Sequence, residues 1–124
     1  MSALQGLRII ELAEHVSGEF CGKLLADFGA QVIKVERPSG TPTRHLGPFL
    51  DDVAGPERSG LFAYLNTNKQ SVVLDVQSAQ GRAALAALLD GADAVIDDHN
   101  AEWLEQLGLS AQKVRDDYPH LIVC

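Results

Sequence analysis

A chain of 124 residues, 46% of them hydrophobic, is long enough to bury the core of one domain. Its formal charge of −7 argues against a nucleic-acid surface, and no apolar run approaches the ~18 residues of a membrane span. Two cysteines, Cys21 and Cys124, suit neither a disulfide framework nor a metal cluster, so no metal is expected.

Leu7 to Leu12 is a short apolar run with a β-branched centre and reads as the first strand. Phe20, Cys21, Leu24, Leu25 and Phe28 then fall on one helical face, with Gly29 as the C-terminal stop. "QVIKVE", Gln31 to Glu36, is the second strand. An irregular section rich in Pro and Gly runs from Arg37 to about Gly60, and "LFAYLN" after it reads as a short helix. Ser71 to Val76 is the third strand. Ser78 caps an Ala- and Leu-rich helix that reaches Asp90 and stops at Gly91. Asp93 to Asp98 is the fourth strand. Asn100 caps a short helix that runs to Gly108, Ser110 caps another that Pro119 ends, and His120 to Cys124 is the fifth strand.

Strands alternating with helices predict an α/β fold: a Rossmann-like open parallel sheet with helices on both faces. Ligands in such sheets lie beyond the carboxyl ends of the strands, which puts Lys34, Glu36 and Arg37 where sites are usually built. The sequence stops on its fifth strand, where an α/β enzyme would continue into a functional loop, so truncation is expected.

The opening "MSALQGLRII" lacks a basic region followed by a long apolar stretch, which makes the cytoplasm the expected location. Charge is unevenly placed. From Asp90 to Asp117 eight acids face two bases, whereas from Lys34 to Lys69 five bases face four acids. A local basic face on an acidic protein suits a small anionic ligand, although a solvated mixture is the plainer alternative.

Neither G-x-G-x-x-G nor G-x-x-x-x-G-K-[ST] is present. The turn after the first strand has only Gly18 and Gly22, and Glu19 is expected to complement the dipole of the helix that begins there. The four histidines lack ligand spacing, and His15 beside Ser17 or Cys21 has no orienting third group. Asp51-Asp52 and Asp116-Asp117 read as solvated loop ends. Asp97-Asp98 differs from them in closing the fourth strand on the ligand edge. Trp103 and Tyr118 are expected to pack. Asn66, Asn68 and Lys69 are hydrogen-bonding groups in the turn that enters the third strand, where a lysine is a usable point charge for phosphate.

With its segments in place, "LLADFGAQVIKVERP" followed by "NTNKQSVVLD", "LEQLGLS" and "YPHLIVC", the sequence resembles the amino-terminal part of a class III coenzyme A transferase. That family includes formyl-CoA and carnitine CoA-transferases and the 2-methylacyl-CoA racemases. The resemblance covers nearly the whole chain. It implies that residues 1–124 are the N-terminal part of a Rossmann-like domain binding coenzyme A or acyl-CoA, with the family's small domain and C-terminal segments absent. It also implies a homo-oligomer that moves coenzyme A between carboxylic acids through an aspartyl intermediate. The racemase branch instead moves an α-proton with a His and an Asp. Both kinds of catalytic residue match positions beyond Cys124, so no catalytic residue is expected in this chain.

Carried over by position, the resemblance implies that Arg37 faces the CoA phosphates, Asn68 and Lys69 lie beside the nucleotide, and Val16 sits in a loop next to the bound CoA. Asp98, closing the fourth strand on the ligand edge, is a further cofactor-binding candidate. Two stretches depart from the family pattern. Ser17-Gly18-Glu19-Phe20 stands where relatives read something like "AGPF", and Asp97-Asp98-His99-Asn100-Ala101-Glu102 where they tend to read "ENFRPG". Acids placed beside a polyanion are expected to oppose phosphate binding. A non-catalytic CoA-binding or scaffold homologue is the alternative these departures suggest.

Overall fold

The computed structural model describes residues 2–124. Five strands, β1 (Arg8–Glu11), β2 (Gln31–Glu36), β3 (Gln70–Val73), β4 (Ala94–Ile96) and β5 (Ile122–Val123), form one sheet in the order β3-β2-β1-β4-β5. Every pairing is parallel. The helices are α1 (Val16–Asp27), α2 (Gly60–Leu65), α3 (Ala79–Asp90), α4 (Ala101–Gln106) and α5 (Ala111–Asp117). The chain therefore has the expected open parallel sheet, and β1 lies at its centre.

Successive side chains on a strand point to opposite faces, and both faces here are apolar. Ile10, Leu12, Val35 and Val95 pack with Leu85 and Leu89 of α3 on one side. Ile9, Ala13, Val32 and Ile96 pack with Ala26 of α1 on the other. Each fully buried Ile or Leu contributes about 1.5–3 kcal/mol of apolar burial.

The helix on the second side differs from its sequence pattern. The buried positions of α1 are Gly18, Glu19, Gly22 and Ala26. Cys21 and Leu25 pack against the core beside them. Phe20, Leu24 and Phe28, together with Val16, are exposed and form an outward ridge at four-residue spacing. Close approach explains the inversion. A side chain on Gly22 would overlap the Glu11 carboxylate, and one on Gly18 would overlap Ala13 and lie 2.7 Å from Asp98 Oδ2. The helix sits too near the sheet for bulky residues to face inward.

Strand three is also shorter than expected. After Leu74 donates to the Glu36 carbonyl, the chain turns at Asp75, whose carbonyl accepts from the Ser78 amide and hydroxyl. The section from Arg37 to Ser59 is irregular but firmly held. Arg44 makes two hydrogen bonds to Glu36, at 2.7 and 2.8 Å, and lies over the Phe62 ring. Burial works against the Glu36 charge, but Arg44, Ser71 and the Thr41 amide together hold its carboxyl down at about 2. Ser59 caps α2 and also donates to the Thr43 and Leu46 carbonyls.

Candidate functional site

Two charge networks stand on β1 and β2, and they share a geometry. Glu11 and Lys34 are register partners across the strands. Lys34 Nζ donates to Glu11 Oε1 and Glu19 Oε1, both at 2.9 Å, and to the Ala13 carbonyl. Lys69 Nζ lies 2.7 Å from Glu11 Oε2 and donates to the Glu19 carbonyl and Asn66 Oδ1. Thr43 donates its hydroxyl to Glu19 as well. The lysine side chains are 1% and 2% exposed, and both glutamates are fully buried. Burial lowers the Lys69 pKa and raises that of Glu11, even with opposite charges in contact. This network joins α1 and the Thr43 turn to the sheet, and it is closed to solvent.

Three residues further along the chain in each case, past the carboxyl ends of β1 and β2, lies the second network. Arg37 grips Glu14 with two nitrogens, Nε donating to Oε1 at 2.6 Å and Nη2 to Oε2. His99 Nε2 faces the same Glu14 Oε2 at 3.0 Å, and its Nδ1 faces Asp97 Oδ1 at 2.6 Å. The His99 ring stacks on Trp103 with centroids 3.7 Å apart. Burial opposes the imidazole charge, but the two carboxylates outweigh it and raise His99 to about 9. Burial likewise opposes ionisation of Glu14, and His99 with Arg37 brings it down to about 2. Asp98 accepts from the Glu14 and His15 amides at 2.9 and 2.8 Å, which anchors the β1–α1 loop.

This second network opens to solvent through Arg37, whose side chain is 50% exposed. A cavity of about 230 Å3 adjoins it, walled by Leu12, Val35, Pro38, Val76 and Trp103. On the other side of Glu14 an open groove of about 590 Å3 runs past His15, Val16 and Phe20. Both lie beyond the carboxyl ends of the strands, where an α/β sheet places its ligands.

The structure brings three of the expected site residues together. Arg37, Val16 and Asp98 all stand on this edge, around Glu14. Asn68 and Lys69 are placed differently. Asn68 has a φ of 64° and donates to Asp27, and the Lys69 amine is enclosed in the buried network. Glu19 does not complement the dipole of α1 from outside, because its carboxylate turns inward to Lys34. The acids of the Asp97–Glu102 stretch are less opposed to an anion than their sequence suggests. Asp97 is matched by His99, and Asp98 by two amides. Glu14 and His99 were not among the expected site residues. The available signal was spacing, since Glu14 follows Glu11 by the interval that separates Arg37 from Lys34.

The model of CoA-transferase family III matches residues 4–124. The chain belongs to that family. Over 122 residues it is 36% identical to a succinyl-CoA:mesaconate CoA-transferase of Haloarcula hispanica, covering 98% of this chain and 31% of that protein. It is 39% identical over 124 residues to a succinate–glutarate CoA-transferase of Agrobacterium fabrum, again with 98% and 31% coverage. Among solved structures, a CAIB/BAIF family protein from Brucella suis superposes with a TM-score of 0.89 at 36% identity, covering 99% of this chain and 32% of that one. The chain thus spans about a third of the length of the relatives it matches. Among the described residues, no helix is long and apolar enough to cross a membrane.

Proposed function

We propose that this chain supplies the nucleotide-facing part of a coenzyme A site in a protein that moves CoA between carboxylic acids. The observation that carries this reading is Arg37. It is a half-exposed guanidinium on the carboxyl edge of the sheet, beside a cavity, with its inner face already held by a carboxylate. Half in solvent, that guanidinium can turn from the carboxylate toward a phosphate. Val16 and Asp98 shape the neighbouring groove and loop, Asp98 by fixing the amides of residues 14 and 15.

The chain's part in this reading is binding rather than covalent chemistry. Glu14, Asp97 and Asp98 are each committed to partners. A carboxylate held at about 2, as Glu14 is, makes a weak nucleophile. We place the aspartyl intermediate of the transfer on residues outside these 124. We further propose a homo-oligomer, because the ridge of Val16, Phe20, Leu24 and Phe28 is apolar and exposed. Light scattering over a dilution series should then give a mass above that of the monomer, and a monomer at tens of micromolar would refute the assembly.

Calorimetry with CoA and with pantetheine tests the binding reading. Arg37→Ala should weaken CoA by about 1.5–3 kcal/mol, the scale of a charged hydrogen bond, and leave pantetheine unchanged. Equal affinities for CoA in the two proteins would refute it.

A further inference from the structure

We infer that His99 is a positioning residue of the anion site: by holding Glu14 from the inner side, it lets Arg37 turn from its ion pair to a phosphate without stranding a buried carboxylate. The inference rests on the proposed contact between Arg37 and the ligand phosphates.

Glu14 has two cationic partners of unequal freedom. Arg37 is the outer one, and His99, 11% exposed, is the inner one. Glu14 itself is only 10% exposed. If Arg37 were its sole partner, moving the guanidinium to a phosphate would leave an ionised carboxylate unpaired in a low-dielectric pocket, beside incoming negative charge. Both effects oppose binding. His99 removes this conflict because its bond to Glu14 does not depend on Arg37.

The geometry equips His99 for that task. Each ring nitrogen faces a carboxylate oxygen, so both must carry protons for both contacts to be hydrogen bonds. Asp97, on the loop after β4, balances the imidazolium from one side. Glu14, on the loop after β1, faces it from the other, with Arg37, just past the end of β2, beyond. Trp103 of α4 fixes the ring plane by stacking. The Asp98 carboxylate holds the Glu14 and His15 amides, so the loop bearing Glu14 stays in place when Arg37 moves.

A double-mutant cycle read by CoA calorimetry tests this. His99→Phe keeps a ring on Trp103 and removes both donors, and His99→Gln is the second variant should the first unfold. In the otherwise unchanged protein, either substitution should weaken CoA about fivefold or more, the scale of coupling between contacting groups. In a Glu14→Gln background, with no carboxylate to strand, the same substitution should change affinity by less than about twofold. Pantetheine affinity should stay constant throughout. The S-methyl thioether of CoA, whose sulfur does not titrate, should bind more weakly from pH 8 to pH 10, and His99→Phe should flatten that profile. Equal losses in both backgrounds, or equal losses for CoA and pantetheine, would make His99 a packing residue and overturn the inference. A loss with Arg37→Ala but none with either His99 variant would overturn it alone. An unchanged affinity with Arg37→Ala would overturn the phosphate contact and this inference together.

Discussion

Lys34 lies on β2, and Arg37 stands three residues on, just past its carboxyl end. Their partners are spaced alike, Glu11 on β1 and Glu14 three residues on in the loop after it. Each network holds two cations and two carboxylates at its centre: Lys34 and Lys69 with Glu11 and Glu19, and Arg37 and His99 with Glu14 and Asp97. The difference is a lid. The first network lies beneath α1 and the Thr43 turn with no member open to water, whereas the second leaves Arg37 half in solvent. A buried ion pair must keep its partners, because either one left alone is an uncompensated charge. A cation at the rim can exchange partners. Position relative to α1, rather than residue type, separates structural charge from charge available to a ligand.

Removing a cation from each network should break the likeness between them most visibly. Lys34→Met leaves Glu19 and half of Glu11 uncompensated, and should cost about 3–5 kcal/mol in urea unfolding. Adding Glu19→Gln should restore part of that loss. A cost below about 1 kcal/mol for Lys34→Met would mean the buried cluster is hydrated.

The pH dependence separates the networks next. His99 rises from an ordinary 6.5 to about 9, so its contribution is fully present below 6.5 and is lost as pH climbs through 9. It amounts to about 3 kcal/mol, shared with Asp97 and Glu14. Glu14 and Glu36 fall from an ordinary 4.5 to about 2, so theirs is present above 4.5 and is lost as pH drops toward 2. The stability gap between the native protein and His99→Gln should therefore close between pH 7 and pH 10. A gap that stays constant would show that His99 is neutral in the fold.

Gly22→Ala probes the tight seat of α1 over Glu11. Overpacking there should cost about 1–3 kcal/mol in thermal unfolding, while the same change at Gly6, where nothing lies within 4 Å, meets only its left-handed φ of 96°. Arg37→Ala should have the smallest effect on stability, about 1 kcal/mol or less, because Glu14 keeps His99 and the arginine is exposed. A larger loss would make Arg37 a structural member like Lys34.

The fold was legible because its signals are local. β-branched runs, Ser78, Asn100 and Ser110 as caps, and Gly29 after α1 mark the elements, and each of those three side chains does accept a capping hydrogen bond. Gly29 takes the left-handed φ of 101° expected of a helix stop. The orientation of α1 was not legible, because the apolar period of Phe20, Leu24 and Phe28 suggests an inward face. Only the three-dimensional approach of Gly18 and Gly22 to Asp98 and Glu11 shows that face to be the outer one. The same limit applies to charge. Lys34, Arg37 and Lys69 look alike in sequence, and what sets Arg37 apart is that it alone of the three escapes burial beneath α1. His99 carries no such signal in the sequence, because its partners Glu14 and Trp103 lie 85 and 4 residues away, with no motif spacing between them.

The structure of the protein bound to CoA decides whether Arg37 is the cation that serves the ligand. A CoA phosphate should lie within hydrogen-bond reach of the Arg37 guanidinium, with Glu14 still paired with His99 and Lys34 and Lys69 unchanged beneath α1. CoA seated elsewhere, with both Arg37 nitrogens still on Glu14, would rule out that role.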